Sequence, residues 1–306
     1  MLFLLKIIFS SLALWWSLRQ IDFGHLNIVF KELPLTIYIY TLLVMILCVC
    51  LNGLRLYCIA QKMNLKGSLK FLHQLTWSGA FFNQLLPSGI GGDAYRIYAL
   101  SKKNTLLSST AVIIWDRILA ISCMSVICIP VLFFITMPAS LKTITTIIYS
   151  LLVIGIAALV LFIQFPILQN YKLIKKLWNA LAYGKKFASP PFSSLGISSF
   201  SSTFVNFFAF YLLVSALKIP LNFWESSVLY TISLLVTFIP LSISGWGLRE
   251  SFLTAYLLAY GLPPEKGFTL GVLHGLLTLA TGVIGAIFYL FSKNQKNSLG
   301  TNVQNR

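Results

Sequence analysis

Six ionisable residues stand inside otherwise apolar stretches of this chain: Asp93, Arg96, Asp116, Arg117, Arg249 and Glu250, three of each sign. Two of the arginines close glycine-rich runs, PSGIGGDAYR from Pro87 and PLSISGWGLR from Pro240. Each run reads as a loop that opens a short helix. Unpaired backbone N–H groups and the positive end of the helix dipole then face whatever the loop enters. Amides near Gly91, Gly92, Ser244 and Gly245, with the guanidinium groups of Arg96 and Arg249 about one turn on, would make an anion site for phosphate or carboxylate. Asp93 and Glu250 belong to the same candidate set, and Asp116-Arg117 supplies a coupling pair or an ion pair. A nucleotide-binding loop does not fit, because no Gly-Lys-Ser/Thr follows Gly92 and no strand precedes it. No catalytic residue, metal ligand or cofactor site is assigned.

The elements that must position these groups follow from composition. Hydrophobic residues make up 58% of the 306, charged residues 10%, and mean hydropathy is +0.85. Soluble domains carry about 45–50% apolar and about 25% charged residues, so an ordinary soluble enzyme, a disordered chain and a disulfide-stapled secreted domain are excluded. The solvent is a bilayer. At roughly 2.5–3.5 kcal/mol each, six unpaired charges at its centre would cost on the order of 15–20 kcal/mol, more than a domain's net stability. They must be paired, hydrated or near an interface, and both a structural ion-pair cluster and a functional site fit that demand.

Six stretches read as spans: residues 1–18, 33–53, 118–136, 144–165, 195–217 and 267–292. Two more are interrupted. Phe71 to Leu86 is about 24 Å of helix, followed by the Pro87–Gly92 loop and a piece from Asp93 to Leu100 only about 12 Å long. Ser226 to Ile239, the loop from Pro240 to Gly247 and Leu248 to Tyr260 repeat the design. Pro and Gly clusters at membrane depth are tolerated where protein or a watery cavity satisfies the backbone, so both read as re-entrant hairpins. With the N-terminus in the cytoplasm, fifteen Lys and Arg (Arg55 among them) fall inside and five outside, which satisfies the positive-inside rule. The net charge of +16 is therefore a cytoplasmic collar that orients the chain, and it does not indicate nucleic acid.

The two loops also match each other. Pro87, Ile90, Gly92 and Arg96 correspond to Pro240, Ile243, Gly245 and Arg249 at one offset of 153. The topology sends the first hairpin in from the cytoplasm and the second from outside. The expected fold is thus an all-α polytopic membrane protein with about six spanning helices and two oppositely oriented re-entrant hairpins in an inverted repeat, the sign of a transporter with its site near the midplane. One membrane domain covers residues 1–292, with repeat motifs near 83–100 and 236–253, and a polar tail, expected to be disordered, covers 293–306. Residues 171–183 pattern as an amphipathic helix on the cytoplasmic leaflet. Gly267, Gly271 and Gly275 suit close helix packing, with His274 beside them a satisfied polar residue. Ser198 to Thr203 suit a cavity wall or interhelical bonds, and five cysteines read as buried thiols.

Residues 83–100 (NQLLPSGIGGDAYRIYAL), the Trp115-Asp116-Arg117 step and the run from Ser242 to Glu250 resemble, in order, the lysylphosphatidylglycerol synthetase transmembrane region, a flippase-like membrane domain. The resemblance covers nearly the whole chain. It implies an integral membrane protein that moves or helps handle polar lipids, with a phospholipid or lipid-linked substrate as its partner. Bifunctional members carry a soluble aminoacyltransferase domain after the membrane part. Here about fourteen residues follow the last span, so aminoacyl-lipid synthesis is not expected. The resulting expectation is a non-enzymatic lipid translocase of a bacterial inner membrane with both termini cytoplasmic. The alternatives are a membrane-embedded enzyme or a non-catalytic subunit of a separately encoded lipid-modifying enzyme, and an oligomer remains open.

Overall fold

Uninterrupted apolar runs with no helix breaker give long helices, and Pro or Gly clusters end them. The computed structural model describes residues 33–85, 91–135, 137–164, 192–238, 242 and 244–304, with Ser11, Trp15, Leu18 and Arg19 besides. Among these are nine helices and no strand: α1 Leu35–Lys62, α2 Leu69–Leu85, α3 Gly91–Ser101, α4 Leu106–Phe134, α5 Ala139–Gln164, α6 Phe192–Ala216, α7 Phe223–Phe238, α8 Leu248–Ala259 and α9 Pro264–Gln304. Four stretches, Leu35–Lys62, Leu106–Phe134, Ser194–Ala216 and Pro264–Leu290, are long and apolar enough to cross a bilayer. Most of the first expected span, the amphipathic segment of residues 171–183 and most of both loop tips (86–90, 239–241 and 243) lie outside the described residues.

The order long, short, short, long occurs twice, as α1–α4 and α6–α9. Contacts obey the same duplication. α2 lies on α9 as α7 lies on α4, α8 packs on α9 as α3 packs on α4, and α1 lies along α6. Where α1 and α6 cross, the Cys48 thiol donates to the Ser202 carbonyl at 3.7 Å across a separation of 154 residues. That separation is within one residue of the motif offset, so the two units meet there near matching positions. Two cores form, one around Leu56, Ile59, Leu72, Leu100 and Val112 with Leu195 of α6, the other around Phe207, Phe210, Leu229, Leu253 and Leu270 with Met45 of α1 and Met124 and Leu132 of α4, so each draws on both units. Outward faces are apolar, with Leu43 and Leu47 of α1, Phe204 and Phe208 of α6, and Val283 and Ile287 of α9 exposed. Ser199, Ser202 and Thr203 are buried instead, the inside-out pattern of a lipid-solvated protein.

Two expectations are corrected. α1 continues past residue 53 to Lys62, and Arg55 is 5% exposed within it. It belongs to the interior and not to the cytoplasmic collar, because the apolar run resumes at Leu56 and nothing breaks the helix at Gly53. The last helix runs to Gln304 through the segment expected to be disordered. No proline interrupts that segment, and the helix passes through Gly300.

Candidate functional site

In the first hairpin, glycine lets two backbones touch. A Cβ at Gly92 would collide with the Gly79 carbonyl and the Asn83 side chain. The Gly92 N–H instead donates to Asn83 Oδ1 at 2.7 Å, so α2 itself occupies an amide at the start of α3. Asp93 takes the first turn of α3, and Arg96 lies against Gly79, where a Cβ would strike its guanidinium. Arg96 donates to the Thr76 carbonyl at 3.3 Å and stands 3.5 Å from Asp93 and 3.7 Å from Asp116. Its Nε is buried with no partner among the described residues.

α4 and α1 complete the cluster. Arg117 binds Asp93 with two parallel hydrogen bonds, Nε to Oδ2 at 2.7 Å and Nη2 to Oδ1 at 2.8 Å. Arg55 Nε donates to Asp116 Oδ1 at 2.7 Å and its Nη1 to Ser202 Oγ at 3.1 Å. A charge with so little access to water persists only with partners of this quality.

In the second hairpin a left-handed turn aims the chain. Ser244, Gly245 and Gly247 have φ of 52°, 82° and 87°, a region glycine enters without steric cost. A Cβ at Gly245 would also lie 2.7 Å from Thr237 Cγ2. The Glu250 carboxylate reaches back to accept the Gly247 N–H at 2.6 Å, and its other oxygen accepts Arg249 Nε at 3.0 Å and Nη2 at 2.6 Å. The start of α8 is thereby capped by its own acid. Arg249 extends over the face of Trp246 and across Gly275 of α9, where any side chain would meet the guanidinium. Gly267 and Gly271 likewise bring α9 against Leu253, Thr254 and Glu250 of α8, the close packing expected of that stripe.

The two hairpins touch beside their loops. Ser244 Oγ lies 2.7 Å from the Asn83 carbonyl and 3.1 Å from that of Gln84. Around this junction is a cavity in two lobes, of about 160 Å³ and about 250 Å³. Asn83, Gln84, Arg117, Tyr230, Leu234, Phe238 and Thr278 line both lobes. Arg249, Ser244, Thr237 and His274 close the smaller, and Arg55, Asn52, Asn206 and Thr203 the larger. Three guanidinium groups thus face the cavity, and none of the described carboxylates lines it. Arg117 is the most open of the embedded arginines, its side chain 32% exposed against 8% for Arg96.

Of the residues singled out in the sequence, Asp93, Arg96, Asp116 and Arg117 come together with Arg55, and Arg249 pairs with Glu250. Ser244, Arg117 and Arg249 reach the cavity. Arg96, Asp93, Asp116 and Glu250 stand behind it, Gly91 is buried as the first residue of α3, and Gly92 and Gly245 serve backbone approach and turning. Sequence reasoning missed Arg55, Asn52, Asn206, Asn83 and Gln84. A signal for the first was present, since apolar residues resume after Arg55. Another signal was the asparagine pair at residues 52 and 206, which repeats the 154-residue separation. His274 is not the satisfied polar residue expected. It sits edge-on to Phe210 and Tyr230, and its Nδ1 is buried without a partner among the described residues. Of the polar residues of α6, Ser202 makes an interhelical bond and Thr203 lines the cavity. The cysteines are free, with Cys48, Cys123 and Cys128 buried and Cys50 and Cys58 partly so.

Counting Arg55, the cluster around the cavity joins four arginines (55, 96, 117, 249) to three carboxylates (93, 116, 250), one more cation than anion, and Glu265 is buried besides in the first turn of α9. Bonds below 3 Å match Arg55, Arg117 and Arg249 each with one carboxylate, and Arg96 has only the longer contacts.

A family model described as Lysylphosphatidylglycerol synthase TM region matches residues 3–286. No curated protein and no solved structure matches the chain. The match and the four apolar helices together make this a multi-pass membrane protein.

Proposed function

The chain belongs to the lysylphosphatidylglycerol synthase TM region family of membrane proteins for lysylphosphatidylglycerol-related lipid handling, and from that premise we propose that it is a lipid translocase and not an enzyme. The two helical hairpins are re-entrant and enter a bacterial inner membrane from opposite sides, with both termini cytoplasmic. A polar headgroup enters the cavity between their tips while the acyl chains stay in the bilayer. The observation that carries this reading is the meeting of Ser244 with Asn83 and Gln84 over a cavity faced by Arg117 and Arg249. A short helix of 11 or 12 residues is about 16–18 Å long, too short to cross about 30 Å of hydrocarbon. Broken helices whose ends meet at a polar cavity suit the midplane site of an inverted-repeat transporter.

Arg117 and Arg249 are the counter-charges for the headgroup. Arg96 is a positioning residue that holds Asp93 and Asp116 in place. In reconstituted vesicles carrying a fluorescent phospholipid, Arg117→Gln and the charge-neutral pair Arg249→Gln/Glu250→Gln should each slow translocation at least tenfold while circular dichroism stays unchanged. Unchanged rates in both folded variants would remove the cavity from the transport path.

A further inference from the structure

On the translocase reading above, we infer that the headgroup taken by this cavity is an anionic phosphate carrying hydroxyls, a phosphate-linked polyol, and not a headgroup bearing an amine. The first reason is charge. Arg55, Arg117 and Arg249 face the lobes, and every described carboxylate nearby is turned away into a bond already made. Asp93 gives both oxygens to Arg117, Asp116 binds Arg55, and Glu250 holds Arg249 and the Gly247 N–H. An ammonium in the cavity meets three like charges and no described counter-charge. A phosphate meets donors that are still open, since among the described residues Nη1 of Arg117 and of Arg249 donates to no protein group. It also offsets the one arginine by which the cluster around the cavity exceeds its carboxylates.

The second reason is the rest of the lining. Asn52, Asn83, Gln84, Asn206, Tyr230 and Thr278 present carboxamides and hydroxyls, groups that both donate and accept. Hydroxyls do the same, so a polyol can satisfy such a wall from many angles, whereas an ammonium has donors alone. Among the described residues, the Gln84 carboxamide has no hydrogen-bond partner, although it stands at the junction of the two lobes. With Arg117 also lining both, a phosphate at the junction would direct its polyol into the larger, amide-walled lobe.

The test compares three lipids with the same labelled acyl chain in phosphatidylcholine vesicles holding the full-length protein: phosphatidylglycerol, phosphatidylethanolamine and lysylphosphatidylglycerol. Loss of outer-leaflet fluorescence to dithionite reports movement. Phosphatidylglycerol should move at least tenfold faster than either amine lipid. Gln84→Glu, which adds a carboxylate at the junction, should cut that ratio at least threefold. Equal movement of all three, or faster movement of lysylphosphatidylglycerol, overturns the inference and leaves the translocase reading standing. An unchanged ratio in a folded Gln84→Glu variant removes this cavity as the selector. Failure of all three lipids to move removes the translocase reading and the inference with it.

Discussion

Replacing Asp116 by Asn should destabilise the protein more than any other single change in the interior cluster. Asp116 is 4% exposed in its side chain and bonds Arg55, itself 6% exposed, at 2.7 Å, while standing 3.7 Å from Arg96. The substitution leaves the four arginines of the cluster with two carboxylates, so its surplus rises from one charge to two. Removing one partner of a buried ion pair costs about 3–5 kcal/mol, mostly through the charge left behind. Arg55→Gln/Asp116→Asn removes both charges and leaves two carboxamides that can bond each other and Ser202. The double variant should therefore recover about 2 kcal/mol relative to Asp116→Asn, a coupling within the usual range for contacting residues. For a chain of this size about 2 °C accompanies each kcal/mol, so Asp116→Asn should melt about 6–10 °C below the parent in detergent micelles, followed by circular dichroism. A single variant within 2 °C of the parent, or a double variant no more stable than the single, would refute the pairing of Arg55 with Asp116.

Glycine positions test the packing of the first hairpin. Gly92→Ala drives a methyl into backbone at Gly79 and should cost at least about 1–3 kcal/mol. Gly79→Ala presses on the Arg96 side chain and should cost less. Gly155→Ala has nothing within 4 Å of the new methyl and should leave the melting temperature unchanged or slightly raised. At the tip of the second hairpin, Ser244→Ala loses the hydroxyl that bonds across to the first and should cost about 0.5–1.5 kcal/mol. Ser244→Gly loses the same bond but relieves a left-handed φ, so it should be about 1 kcal/mol more stable than Ser244→Ala by chemical denaturation. Equal stability of those two would mean that the turn stores no strain at residue 244.

Much of the architecture was legible along the chain because its determinants are local. Hydropathy fixed the solvent. Pro and Gly clusters fixed where helices stop, so the hairpin expected from Phe71 to Leu100 is α2 and α3, and that from Ser226 to Tyr260 is α7 and α8. The repeated motif announced two matching units, and their contacts duplicate accordingly. The site was legible only in part. Residue types marked Arg96 and Arg117 alike as embedded cations, yet one packs against Gly79 behind the cavity and the other opens into it. The helix starts near Gly92 and Gly245 looked like open anion sites, yet Asn83 occupies an amide at one and Glu250 caps the other through the Gly247 N–H.

Arg55 shows the division most clearly. Its place in the sequence, just past a full-length apolar run, matches the end of a span, and its role comes from Asp116, 61 residues away, and Ser202, 147 residues away. Sequence by itself determined that this protein lies in a bilayer, is helical, breaks two of its hairpins at Pro and Gly, and carries a small set of charges it must satisfy. Only tertiary structure decided which charges satisfy each other and which are left to face the cavity. A helix turns about 100° per residue, so the direction of a side chain depends on how its helix is rotated against neighbours, and that rotation is set by packing between segments far apart in the chain.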